Sequence, residues 1–96
     1  MSKKPPDPPE FLGTDGTHFW KDIVNRWELG RHELELLGFA AASLDAIAQA
    51  RASIKRDGQF VKSERGRLVV HPAVKIVRDA QAEFRLLVGR LKLGGA

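Results

Sequence analysis

The 96-residue chain contains no cysteine and no tyrosine, and it has no long hydrophobic run. Without cysteine it can form neither a disulfide framework nor a thiolate metal site, which is typical of a reducing compartment. No apolar run approaches the ~18 residues that a membrane span requires. The first ten residues also lack the apolar segment of a signal peptide. We therefore expect a soluble protein that has no membrane partner.

Catalytic and cofactor-binding patterns are missing as well. The chain has no Gly-rich phosphate loop, no HxxxH pair and no acidic cluster, and Ser43, Ser53 and Ser63 have no nearby His and Asp in a nucleophile motif. His18 and Asp22 share a helix face, but no third metal ligand is near them. We expect no catalytic residue, no metal and no cofactor, and the chain is not predicted to be an enzyme.

The basic charge is concentrated in the second half of the chain. The formal net charge is +4, and residues 59–96 carry eight Lys and Arg against three acids, whereas the preceding segments sum to nearly zero. This asymmetry favours a polyanion or an acidic protein surface as the partner. The length fits one small domain, which would be only modestly stable alone and would gain from self-association.

The first part of the chain predicts an arm followed by a helix. Residues 1–10 contain four prolines, which exclude helix and central strand, so we expect a flexible arm before a single helical domain over residues 11–96. Thr14 is a plausible N-cap for a first helix over about 15–28. Apolar residues recur there at three- and four-residue steps: Phe19, Trp20, Ile23, Val24 and Trp27.

A long second helix is predicted over about 32–57, between Gly30 and a left-handed cap at Gly58. It carries two apolar stripes about 120° apart. Since two stripes need two partners, we expect the protomer to leave one of them for another chain; the alternative is a helix central in a small bundle. The stripes are Leu34, Leu37, Ala41, Leu44, Ala48 and Leu36, Ala40, Ile47, Ala50, Ile54.

A β-hairpin is predicted over about 59–70, between the second and third helices. Phe60-Val61 and Leu68 to Val70 are β-prone, and the Ser63 to Gly66 segment has the composition of a turn. Its cations Lys62, Arg65 and Arg67 come without the Asn or Gln that commonly read adenine, so we expect phosphate contacts. The alternative is that these are ordinary loop charges.

The third helix, predicted over 72–92, begins at Pro72 with His71 as the helix-start residue. An apolar line is flanked by Ile76 and Val88 and predicts the core face. The charges are sorted by sign on two sides of that face, which indicates a head-to-tail contact, a DNA-facing stripe or an unevenly charged solvated face. The apolar line is Ala73, Val77, Ala80, Phe84, Leu87, Leu91; the basic stripe is Lys75, Arg78, Arg85, Lys92; the acidic flank is Asp79, Glu83.

Two sets of site residues follow from these patterns. The DNA-binding candidates are Lys55, Arg56, Lys62, Arg65, Arg67, Lys75, Arg78 and Arg85. The oligomerisation candidates are Leu36, Leu44, Ile47, Ile54, Asp79 and Glu83.

The order of these parts resembles the short small subunits of phage terminase, found in tailed phages and prophages. The matching features are the opening that ends in PPEFL, the Phe19-Trp20 helix, the segment from Ile54 to Gly58, the hairpin, and the HPAVKI stretch that starts at His71. One departure is Gly30-Arg31, where a Thr or Asp cap is usual.

The resemblance implies a non-catalytic DNA-packaging protein of the host bacterial cytoplasm. Such subunits assemble as ring-shaped homo-oligomers, recognise double-stranded viral DNA, and deliver it to the large terminase subunit, which carries the ATPase and nuclease.

Two other classes of protein stay open. A helical oligomeric scaffold fits the two-stripe helix equally well. A DNA-binding transcriptional regulator fits less well, because its recognition helix would be polar whereas the second helix is apolar and alanine-rich.

Overall fold

The computed structural model describes residues 4–93 as three helices and one two-stranded antiparallel sheet. The elements are α1 (Thr14–Arg26), α2 (Arg31–Asp57), β1 (Phe60–Lys62), β2 (Leu68–Val70) and α3 (Pro72–Leu91). The predicted helical fold with a hairpin between the second and third helices is confirmed. Residues 1–3 of the predicted arm and 94–96 of the predicted domain lie outside the described residues.

The start of α1 differs from the prediction. The N-cap of α1 is Gly13 and not Thr14. Glycine has no side chain that could accept a hydrogen bond from the first backbone N–H groups of the helix. The cap comes instead from α2, where the Asp45 carboxylate accepts the Gly13 N–H at 2.6 Å and the Gly16 N–H at 2.8 Å. The helix also ends before the predicted residue 28, because the backbone turns extended at Trp27 (φ −131°, ψ 143°).

Both apolar stripes of α2 find a partner within the protomer. On the first stripe, Ala41 lies so close to α1 that a Cβ at Gly16 would be 2.7 Å from its carbonyl oxygen. On the second stripe, Ala40 and Ile47 are buried, and α3 is the other helix that packs against α2. The expectation that one stripe needs a second chain is therefore wrong for most residues of that stripe.

The core lies where α1 packs against the first turns of α2 and the last turns of α3. Trp20, Ile23, Leu37 and Leu91 form its buried cluster. The ring of Phe19 contacts that of Phe84 edge to face, with centroids 5.3 Å apart. Residues from all three helices therefore contribute to one small core at this end of the molecule, as the apolar spacing of α1 and α3 predicts.

The proline-rich segment contacts this core without forming helix or strand over residues 4–9. The Trp20 indole N–H donates to the Pro6 carbonyl at 3.0 Å, so the buried tryptophan has its hydrogen-bond partner. The Leu12 N–H donates to the Pro9 carbonyl at 3.2 Å and turns the chain toward α1. The flexibility of the arm stays a prediction.

The hairpin pairs Phe60 with Val70 and Lys62 with Leu68. Gly66 in its turn has the predicted positive φ of 78°. Gly58 also has a positive φ, 87°, but its ψ of 161° lies outside the left-handed helical region that was predicted. Glycine is required there all the same, because other residues almost never adopt this extended conformation with positive φ.

Within residues 4–93, no helix combines the length and the apolar character needed to cross a bilayer.

Candidate nucleic-acid interface

Most of the predicted DNA-binding residues meet at the end of the molecule opposite the core. Lys55 and Arg56 lie in the last turn of α2, and Lys75 and Arg78 lie in the first two turns of α3. The hairpin that joins these helix ends carries the others. We call residues 55–78 the basic end; they include seven Lys and Arg and two acids. Arg85 lies about 10 Å further along α3, at 1.5 Å per residue.

All eight candidates are exposed to solvent. Two of them are engaged with carboxylates: Arg56 binds Asp57 through Nε and Nη2, at 3.0 and 3.2 Å, and Lys75 Nζ lies 2.6 Å from Asp79 Oδ2. The other six candidates form no ion pair with any residue in 4–93. Exposed cations without a carboxylate partner are free to approach a phosphate, so the six are the better candidates.

His71 holds the two helix ends of the basic end together. Its Nδ1 accepts the Ala73 N–H at 3.0 Å and so caps α3, as predicted for a helix-start residue. Because Nδ1 is an acceptor, the ring proton of a neutral imidazole lies on Nε2, which donates to Asp57 Oδ2 at 3.0 Å. The hydrogen bonds from Arg56 and then from His71 lower the pKa of Asp57 to about 2.

This capping also limits what the start of α3 offers to an anion. Pro72 has no N–H, the Ala73 N–H is taken by the imidazole, and the Val74 N–H donates to the His71 carbonyl at 3.0 Å. The early amides that usually bind phosphate at a helix start are therefore occupied. Any phosphate contact at the basic end must come mainly from the side chains.

The hairpin is short and exposes its cations at different places. Lys62 lies within β1, on the face that also bears Phe60, Leu68 and Val70, because side chains alternate along a strand. Arg65 and Arg67 belong to the turn, which is closed by the Ser63 N–H donating to the Arg67 carbonyl at 2.7 Å. Both arginine side chains of the turn are exposed to solvent.

The protomer covers the oligomerisation candidates to different degrees. Ile47 is only 7% exposed, so it is a core residue of the protomer and is not available to another chain. Leu36, Leu44 and Ile54 are half-buried, while Asp79 and Glu83 are exposed on α3. Their role in assembly stays a prediction.

Sequence reasoning missed three features. It did not find the Asp45 cap, because the two capped residues lie about 30 positions away in the chain. It did not link Asp57 to His71, and it placed Ile76 beside the core although this residue is 50% exposed. Phe39 lies on neither predicted stripe of α2, and this position is consistent with its exposure at the surface.

The described residues contain no group of three His, Cys, Asp or Glu side chains that could hold a metal ion.

Comparison with known families identifies a match over most of the chain. The family of the phage terminase small subunit matches residues 17–96. No curated protein and no solved structure matches. The family match begins in α1 and includes the hairpin and α3, so it spans the whole basic end.

Proposed function

Because the chain belongs to the phage terminase small subunit family, we propose that it is the non-catalytic DNA-recognition subunit of a viral genome-packaging machine. In this role it binds double-stranded viral DNA in the host bacterial cytoplasm and delivers it to the large terminase subunit. It acts as a ring-shaped homo-oligomer. The observation that carries the proposal is the basic end, where six exposed candidates, counting Arg85 beside it, have no carboxylate partner.

The basic end suits phosphate binding better than base reading. Its free cations are lysines and arginines on a hairpin tip and on two helix ends, which can follow a phosphate backbone without entering a groove. The composition of α2 speaks against the regulator alternative, since this helix is alanine-rich and packs against both α1 and α3, whereas a recognition helix presents a polar base-reading face. The scaffold alternative predicts no DNA binding even at low salt.

The test is a salt series of DNA-binding titrations, followed by fluorescence anisotropy of a labelled duplex. Replacing Lys62, Arg65 and Arg67 together by Ala should weaken binding to all sequences. If each cation neutralises one phosphate, the slope of log K against log salt should become shallower by about 2 to 3.

A matched control removes one lysine and two arginines from the other end of the molecule. Lys21, Arg31 and Arg90 are exposed there, in α1, at the start of α2 and at the end of α3. Their triple Ala variant has the same net charge as the hairpin variant but should keep the wild-type slope. Equal slopes for both variants would show a nonspecific charge effect and contradict the assignment to the basic end. Absence of binding by the wild type at low salt would favour the scaffold.

A further inference from the structure

The hairpin carries an apolar face that no residue in 4–93 covers. Phe60, Leu68 and Val70 are 56, 70 and 54% exposed and lie on the same side of the sheet, together with Lys62. The opposite side bears Val61, which is half-buried, and Val69. A sheet of only two strands is marginally stable in water unless one of its faces packs against something. The exposed face is therefore a surface that needs a partner.

A second uncovered apolar surface is a shallow groove between α2 and α3. Phe39 and Ile76 are 59 and 50% exposed and lie among its lining residues. Three alanines, Ala42, Ala46 and Ala80, contribute to the lining and leave an open volume of about 550 Å³. Small side chains between two larger apolar ones form a depression that can accept protruding side chains from another molecule.

The charges around these two surfaces are opposite. Asp79 and Glu83 line the groove. Asp79 is paired with Lys75, but Glu83 forms no ion pair with any residue in 4–93. The hairpin face carries Lys62, which also forms no ion pair there. The apolar hairpin face with a free cation and the apolar groove with a free carboxylate are complementary in polarity and charge.

We propose that the exposed hairpin face of one copy docks into the α2/α3 groove of a second copy of the chain. The proposal rests on the assembly of this family member into the homo-oligomer proposed above. Because the two surfaces are different, the contact is head-to-tail, and repetition of it covers both surfaces on every copy when the ring closes. Pairing of hairpin with hairpin would instead place Lys62 beside its own equivalent, which charge repulsion disfavours.

Disulfide trapping tests the contact directly, because the chain contains no cysteine of its own. Leu68→Cys and Ala46→Cys are prepared as separate variants with different affinity tags and are mixed before oxidation. Only residues whose Cβ atoms come within about 4.5 Å form a disulfide readily. We expect a heterodimeric cross-link between the two variants and none within either variant alone. Ala52→Cys is the matched control, since this exposed alanine lies about 120° around α2 from Ala46 and should not cross-link.

The other outcomes overturn the proposal. A cross-link in Leu68→Cys alone shows that hairpins pair with each other, and one in Ala46→Cys alone shows groove-to-groove pairing. An oligomeric mass without any cross-link places the contact elsewhere. A monomeric wild type at micromolar concentration removes the contact altogether. The salt series repeated with Arg65→Ala and Arg67→Ala, which lie outside the docking face, decides the DNA-binding role separately.

A charge exchange provides a second readout that does not need cysteine. Glu83→Lys should shift the solution mass toward the monomer, because it places a cation opposite Lys62 of the next copy. Adding Lys62→Glu to the same chain should restore the oligomer. Restoration by Arg78→Glu with Arg85→Glu instead would assign the acidic flank to a contact between α3 helices, and it would overturn the hairpin contact.

Discussion

Replacing Asp45 by Ala should remove the cap of α1 and leave the residues of the basic end and of the α2/α3 groove unchanged. The Asp45 carboxylate is half-buried and accepts two backbone N–H groups from residues Gly13 and Gly16, 32 and 29 positions away in the chain. It also places a negative charge at the start of α1, where the helix dipole favours it. One side chain thus caps one helix and fixes it to another.

The size of the effect follows from these two bonds. Loss of an N-cap side chain costs about 1 kcal/mol, and hydrogen bonds to a charged group contribute about 1.5 to 3 kcal/mol each. The bond to Gly16 is only partly buried, so we count it at about 1.5 kcal/mol; the bond to Gly13 is exposed and competes with water, so we count it at about 0.5 kcal/mol and expect a total loss of about 2 kcal/mol. For a domain of this size the melting temperature should fall by about 8 to 16 °C.

Thermal melts and urea titrations followed by circular dichroism measure this loss. The control is Asp22→Ala, which removes a carboxylate from a surface pair with Arg26 at 3.3 Å. An exposed pair of this kind contributes about 0 to 1 kcal/mol. Gly16→Ala should resemble Asp45→Ala, since its Cβ would lie 2.7 Å from the Ala41 carbonyl oxygen. The reasoning is refuted if Asp45→Ala melts within about 2 °C of the wild type, well below the shift expected from lost capping.

Two further predictions concern acid stability and the α2/α3 interface. The pKa of Asp57 is lowered to about 2 by Arg56 and His71, so its contribution to stability is full above the unfolded pKa of about 4 and is lost as the pH falls through the folded value. Urea titrations of the wild type and Asp57→Asn should therefore converge between pH 4 and pH 2, and a constant difference would contradict the pairing. Ile47→Asp should unfold the protomer, since a charge buried against α3 costs about 3 kcal/mol or more, whereas the half-buried Leu44→Asp should keep its helicity. Equal loss of ellipticity at 222 nm in both variants would show that the two stripes do not differ in this way.

The parts of the fold that the sequence predicted are those with local signals. Pro72 marks the start of α3 and Gly58 marks the end of α2, and apolar spacing gives the faces between such limits. The short hairpin then forces the end of α2 and the start of α3 together, so the grouping of Lys55 with Arg78 at the basic end could be expected from chain order alone.

What could not be predicted depends on how the helices are rotated against one another. The cap of α1 by Asp45 joins residues about 30 positions apart, and no local pattern specifies it. The exposure of Ile76 depends on which side of α3 meets α2, because a residue at the edge of an apolar face can fall on either side of the contact. Phe39 becomes part of a groove only once that rotation is set.

The distance between the core and the basic end has a consequence for how such a protein can evolve. Leu37 and Lys55 are 18 positions apart on one helix, which corresponds to about 27 Å. Amino-acid changes at the hairpin tip therefore leave Trp20 and its neighbours untouched, and their effects on stability add to those of substitutions in the core. Under the proposed function, a lineage can change the strength of its phosphate binding through a few exposed cations, while purifying selection acts separately on the packing of the distant aromatic cluster.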